Sequence, residues 1–228
     1  LTDLGLPGET EPWMVRRGSW VRLGVDVAAD GGDEFAIARV VGDLATIEHL
    51  AAGLANAHPM NVAGVILQEI RRAEELRQAL GTKSPVRVKI DGIGVGWGVA
   101  GILSAWGSEG LHDAEIVVVV VSESTDREPD AATLRPYRKR DEMWLAMRSL
   151  LQPQGDRSGL RLRVDSKTLA QLRSPTISTT STGHTRIESK QSLKNRGLSS
   201  PDRAEAMLHA VYEPAPPVSK KKKARLIS

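Results

Sequence analysis

Three apolar runs follow one another early in the chain, each ended by a short polar turn. Residues 20–27 (Trp20-Val21-Arg22-Leu23-Gly24-Val25-Asp26-Val27), 35–41 (Phe35-Ala36-Ile37-Ala38-Arg39-Val40-Val41) and 45–51 read as strands. Gly31-Gly32-Asp33 and Gly42-Asp43 separate them. Spacing this tight means hairpins, hence antiparallel pairing. The period then changes. Val62, Val65, Ile66, Ile70, Ala73, Leu76 and Leu80 fall on one helical face, which predicts a helix over 60–80 with Gly81 as its stop. Residues 86–90 return to strand character. A Gly-rich turn leads from them into a helix over about 95–106, and 115–121 is a further strand. A helix follows over 137–151, then a strand at 160–164 and a short helix at 166–173. The polar stretch 176–188 turns at Thr182-Gly183-His184 and reads as an extra β-hairpin. A last helix runs from about 201 to 212, with Ser200 as N-cap and Pro201 as its first residue.

The order is β-β-β-α-β-α-β-α, an α/β fold. Right-handed crossovers place strand 86–90 beside strand 20–27 and parallel to it. The result is a mixed sheet: three antiparallel strands, then parallel strands reached through helices. Residues 1–19 show no periodicity and read as a linker or entry segment. Residues 20–212 form the domain, and 213–228, Pro-rich then Lys-rich, read as a basic disordered tail.

Composition narrows the chemistry. The net charge of +3 is set by the tail, where Lys220 to Lys223 and Arg225 oppose only Glu213. The rest of the chain is close to neutral, so contact with a polyanion must come from local patches. One Phe and two Tyr argue against a stacking platform for single strands. The chain has no cysteine, which excludes disulfides, thiolate zinc sites and a Cys nucleophile. No apolar run approaches the ~20 residues of a membrane span, and no signal peptide is visible. The chain begins at Leu1, as a piece of a longer protein would.

Carboxylates at strand ends carry the candidate chemistry. Asp26 closes the first strand and Asp91 the fourth, each at its C-terminal end. Neighbouring strands lie about 4.8 Å apart, so the two can share an ion. Asp202, in Ser199-Ser200-Pro201-Asp202-Arg203, offers a third side, with Glu205 and His209 farther along the same helical face. Asp33 is a further candidate ligand. An all-oxygen set suits Mg²⁺ or Mn²⁺. Two such ions about 3.5–4 Å apart activate water and stabilise the leaving oxygen of a phosphodiester. Taken singly, each acid also fits an ordinary strand exit or helix start. Lys190, Lys194 and Arg196 flank the acids in sequence, and Arg138, Lys139 and Arg140 cluster at a helix start. These six are the candidate DNA-backbone contacts. Gly96-Trp97-Gly98-Val99-Ala100-Gly101 matches a dinucleotide fingerprint only by letter, because no acid closes a second strand about twenty residues on.

Several segments together resemble the nuclease domain of tailed-bacteriophage terminase large subunits. They are Leu23-Gly24-Val25-Asp26 with Gly32-Asp33-Glu34 and Ala36-Ile37, then Ile90-Asp91-Gly92-Ile93-Gly94-Val95-Gly96, Glu188-Ser189-Lys190, and Ser200-Pro201-Asp202-Arg203-Ala204-Glu205-Ala206. The last run is the most specific. The resemblance covers about residues 20–212 and implies an RNase H-like fold. It further implies cleavage of concatemeric viral DNA with two Mg²⁺ or Mn²⁺ ions, Asp26 bridging both and Asp91 and Asp202 holding one each. The implied partners are double-stranded DNA, the terminase ATPase domain, the small terminase subunit and the portal ring, in the cytoplasm of the infected bacterial host. The phosphate loop of the ATPase half is missing, and Gly81-Thr82-Lys83-Ser84 only echoes it. No ATPase activity is therefore expected of this chain. Two other readings stay open: an RNase H-like junction resolvase or transposase, and a non-catalytic module that docks to the packaging motor.

Overall fold

The computed structural model describes residues 1–6, 13–27, 33–52, 58–125, 134–152 and 159–213. The Gly31-Gly32 turn and the Lys220–Lys223 run lie outside them. Two short strands, β1 (Thr2–Asp3) and β2 (Met14–Val15), pair antiparallel in the stretch expected to be irregular. Val15 is buried in the core, with Leu4, Leu6 and Trp13 packed against it. Two residues per strand are too few to leave a period in the sequence.

The body is a six-stranded mixed sheet. Its strands are β3 (Val21–Asp26), β4 (Glu34–Val41), β5 (Leu44–Ala52), β6 (Arg87–Asp91), β7 (Glu115–Val119) and β8 (Arg161–Arg163), in the spatial order β7-β6-β3-β4-β5-β8. β3, β4 and β5 are successive antiparallel neighbours. β6 lies parallel to β3 and β7 parallel to β6, as the crossover rule requires. β8 adds a parallel strand at the far edge.

Helices cover both faces. α1 (Pro59–Leu80) and α2 (Gly96–Ser108) pack on one side. α3 (Lys139–Leu151) and α6 (Asp202–Val211) pack on the other. Between them in sequence come α4 (Ser166–Arg173), the hairpin β9 (Ile177–Thr179) and β10 (Thr185–Ile187), and the one-turn α5 (Lys190–Asn195). α1 ends where expected, with Gly81 in the left-handed conformation at φ 66° and its N–H bonded back to the last turn.

Strand alternation decides what each face can hold. Val21, Leu23, Val25, Phe35 and Ile37 point into the α1–α2 core. Burying each of these larger side chains contributes roughly 1.5–3 kcal/mol. The opposite face presents Gly24, Ala36 and Ala38, which let α6 lie directly on the sheet. A Cβ on Gly24 would collide with the Ala206 carbonyl and the Ala210 amide. α6 runs antiparallel to β3, so its first residue arrives beside the C-terminal end of that strand. Helix α6 begins one residue later than expected. Pro201 is at the N-cap position, while the Ser200 hydroxyl bonds the Asp202 carboxylate.

Candidate active site

Asp26 and Asp91 end two adjacent parallel strands whose register runs to Val25 opposite Ile90. The backbone turns sharply after Asp91. Gly92 N–H still bonds the Val119 carbonyl at 2.9 Å, and a Cβ on Gly96 would strike the Asp91 carbonyl. The Asp91 carboxylate accepts the Ile93 N–H at 3.1 Å. Gly96, the first glycine of the sequence that echoes a dinucleotide motif, thus serves a tight wrap around a strand-end acid. From the other side α6 delivers Asp202 and, one turn on, Glu205. Asp202 is held firmly: it accepts the Glu34 N–H at 2.9 Å and the Ser200 hydroxyl. The four carboxylates share a cleft of about 330 Å³, with Asp33 at its edge.

One ammonium sits among the acids. Lys190, from α5, places Nζ 2.8 Å from Glu205 Oε2, 3.1 Å from Asp26 Oδ2 and 3.3 Å from Asp202 Oδ1. Arg140 meets Glu205 from behind at 2.9 Å. Two cations face four largely buried carboxylates, and the imbalance appears in the protonation equilibria. Burial pushes the Asp26 carboxyl up to about 8, with Glu205, Asp202 and Asp91 adding to the rise against the pull of Lys190. Burial also pushes Asp91 up to about 6, and its hydrogen bond from Ile93 opposes the rise. Burial acts on Glu205 in the same sense, but Lys190 and Arg140 outweigh it and hold that carboxyl below its ordinary value. Burial alone would lower the Lys190 ammonium, yet Asp26, Glu205 and Asp202 hold it well above its ordinary value. His209, one turn beyond Glu205, is pushed down to about 4 by burial and is neutral at pH 7.

Among the described residues no three Asp, Glu, His or Cys side chains already stand at metal-coordinating spacing. The Lys190 ammonium stands between Asp26, Asp202 and Glu205. The donor set itself fits a hard divalent cation. It consists of oxygens alone, is largely desolvated, and carries more acids than the nearby cations balance.

The structure gathers Asp26, Asp91, Asp202 and Glu205 into one site and leaves Asp33 at its margin, paired with Lys194 at 3.0 Å. The basic candidates disperse. Lys190 joins the acids, Arg140 pairs with Glu205, Lys139 with Glu123 at 2.7 Å, and Arg196 with Glu188 at 2.8 Å. Arg138 lines the cleft with no ion pair among the described residues. Sequence reasoning missed three contributors. Arg186 lines the same cleft from β10. Asp141 ties α3 to the hairpin by accepting the Ile187 N–H at 2.8 Å and the Arg138 N–H at 2.9 Å. Glu34 holds Arg203 at 2.8 Å beside Asp202. The Glu188-Ser189-Lys190 run was the available signal for α5, because Ser189 caps that helix by accepting the Ser192 N–H.

The sheet order, the two helical layers and the strand-end acids define an RNase H-like fold, that of phage large terminase nuclease domains. The chain is similar to the nuclease domain of the large terminase subunit gp2 of bacterial virus Sf6, with a TM-score of 0.62 and 20% identity over 89% of this chain and 92% of that one. A lysine-to-alanine mutant of that domain with manganese and β-thujaplicinol gives 0.63 and 19% over 88% and 91%. A mutant with calcium gives 0.62 and 19% over 89% and 92%. No protein-family model matches the sequence, and no curated protein matches it. Among the described residues no helix is long and apolar enough to cross a membrane.

Proposed function

We propose that this chain is a metal-dependent DNA endonuclease that cuts concatemeric viral DNA during genome packaging. The observation that carries the reading is the convergence of Asp26, Asp91, Asp202 and Glu205, from two strands and one helix, on one cleft, where Asp26, Asp202 and Glu205 share a single ammonium. An acid cluster that burial resists ionising is one that a divalent cation would stabilise. The likeness to the Sf6 domain, which has been described with manganese and with calcium, supports the same reading.

Asp26, Asp91 and Asp202 would hold two Mg²⁺ or Mn²⁺ ions, with Glu205 and Asp33 as further donors. Such ions supply an activated water and stabilise charge on the leaving oxygen of a phosphodiester. The protein's own groups prepare the site. Ser200 and the Glu34 amide fix the rotamer of Asp202, Arg140 steadies Glu205, and Lys190 keeps the acids together until cations arrive. Lys190 must then withdraw or share the cleft. Lys194, Arg196, Lys139 and Arg140 already answer carboxylates, so a DNA phosphate reaching them would replace one anion with another. The partners of this reading are double-stranded DNA, the terminase ATPase domain, the small subunit and the portal ring, in the infected host cytoplasm.

Supercoiled plasmid incubated with the chain and Mn²⁺, beside Asp26→Ala, tests the proposal. Metal-dependent nicking that Asp26→Ala abolishes is expected. No nicking by the parent chain would leave the non-catalytic docking module standing. Strong preference for four-way junctions over linear duplex would move the assignment to a resolvase.

A further inference from the structure

A second constellation stands at the rim of the acid cleft. Tyr137 is 40% exposed, and two guanidinium groups lie over its ring. Arg138 lies 5.4 Å and Arg186 5.6 Å from its ring centroid. His184 meets the same ring edge-on at 5.9 Å. The backbone fixes this arrangement. Tyr137 N–H bonds the Thr185 carbonyl at 3.0 Å and Thr185 N–H bonds the Arg135 carbonyl at 2.6 Å, so the approach to α3 lies along β10. Asp141 then locks the two segments together through the Arg138 and Ile187 amides.

Arg138 and Arg186 both line the cleft that holds the acids, and neither has an ion pair among the described residues. Their neighbours Lys139, Arg140 and Lys190 all do. A guanidinium resting on an aromatic face keeps its planar fork of N–H donors free and oriented, which suits bidentate binding of phosphate. An acid-lined cleft repels a polyanion, so unneutralised cations at its mouth are what would bring a phosphate chain to it.

We propose that Arg138 and Arg186, braced on Tyr137, form a phosphate clamp that grips the backbone of duplex DNA beside the acid cleft. The proposal rests on the nuclease reading for the identity of its ligand. The clamp positions the duplex and carries no base specificity, because phosphate contacts set register without reading sequence.

The test measures binding separately from cleavage. Anisotropy of a short labelled duplex is followed with the full chain in Ca²⁺ over a range of salt, for the parent, Arg138→Gln/Arg186→Gln, Tyr137→Leu and Arg71→Gln. Arg71 lies exposed on α1, in the opposite helical layer, and controls for charge. Losing two phosphate contacts should weaken binding about tenfold or more and flatten the plot of log affinity against log salt by about two. Tyr137→Leu should weaken binding less, with the slope unchanged, because both charges remain. Arg71→Gln should bind as the parent does. A double variant with parental affinity and slope overturns the clamp, as does a loss matched by Arg71→Gln or a parent chain that does not bind duplex. The Mn²⁺ nicking assay on the parent reports separately on the nuclease reading. A clamp-dependent duplex binder that never nicks would keep the clamp and remove the enzyme.

Discussion

The Lys190 ammonium lies 3.1 Å from the Asp26 carboxylate, joining residues 164 positions apart at the centre of the acid cleft. A built-in monovalent cation therefore competes with any divalent one. Lys190→Ala should lower the melting temperature in EDTA, because the acids lose their nearest counter-charge. It should also enlarge the stabilisation by Mn²⁺. A tenfold tighter metal constant adds about 1.4 kcal/mol at saturating metal. Thermal unfolding with and without Mn²⁺ reads both effects, and a Mn²⁺ shift smaller than the parent's would show Lys190 to be part of the metal site instead.

Gly24 and Gly64 make opposite predictions for the same substitution. At Gly24 a methyl group enters the backbone of α6, so Gly24→Ala should destabilise by about 3 kcal/mol or more. At Gly64, within α1, nothing lies within 4 Å of the added carbon. Gly64→Ala should stabilise by about 0.5–1 kcal/mol through helix propensity. Denaturant titration of the two variants measures the contrast directly.

Lys89 is fully buried on β6 and closes the C-terminal end of α6. Its ammonium donates to the Ala210 carbonyl at 2.9 Å, to the Tyr212 carbonyl, and to Glu213 at 3.0 Å, where Arg22 and Arg87 also bind. Lys89→Met keeps the length and removes the donor, leaving buried carbonyls unsatisfied at a cost of about 1–3 kcal/mol. Because α6 carries Asp202 and Glu205 at its other end, calorimetry should also find weaker Mn²⁺ binding. Undiminished binding would mean that packing on Gly24 alone holds the helix.

Glu69 offers a pH test away from the cleft. It is buried on α1, and burial raises its carboxyl above the ordinary value despite Arg72 at 2.6 Å. The folded state therefore keeps this proton longer than the unfolded chain does. Stability from this group is intact below the unfolded value near 4.5 and declines as pH rises above it. Glu69→Gln should match the parent near pH 4 and melt higher at pH 7–8. Equal melting curves across that range would contradict the assignment.

The order of strands and helices was legible because burial on one or two faces imposes a period of two or 3.6 on the sequence. The crossover rule by itself makes Asp26 and Asp91 neighbours, and β3 and β6 are parallel partners. That Gly24, Ala36 and Ala38 form a face pressed against α6 emerged only from the structure. β1 and β2, of two residues each, and the six-residue α5 escaped because they leave too few positions for a period, whereas the short β8, β9 and β10 were marked by flanking turns or alternation. The ion pairs escaped for a different reason. Whether a lysine faces DNA, a carboxylate or solvent depends on which distant segment folds against it, and charge pairing across 164 positions leaves no local pattern. Sequence alone thus determined the layers and the strand-end acids. Only the tertiary structure decided that Lys190 stands among those acids, that Arg140 is spent on Glu205, and that Arg138 and Arg186 remain open on Tyr137.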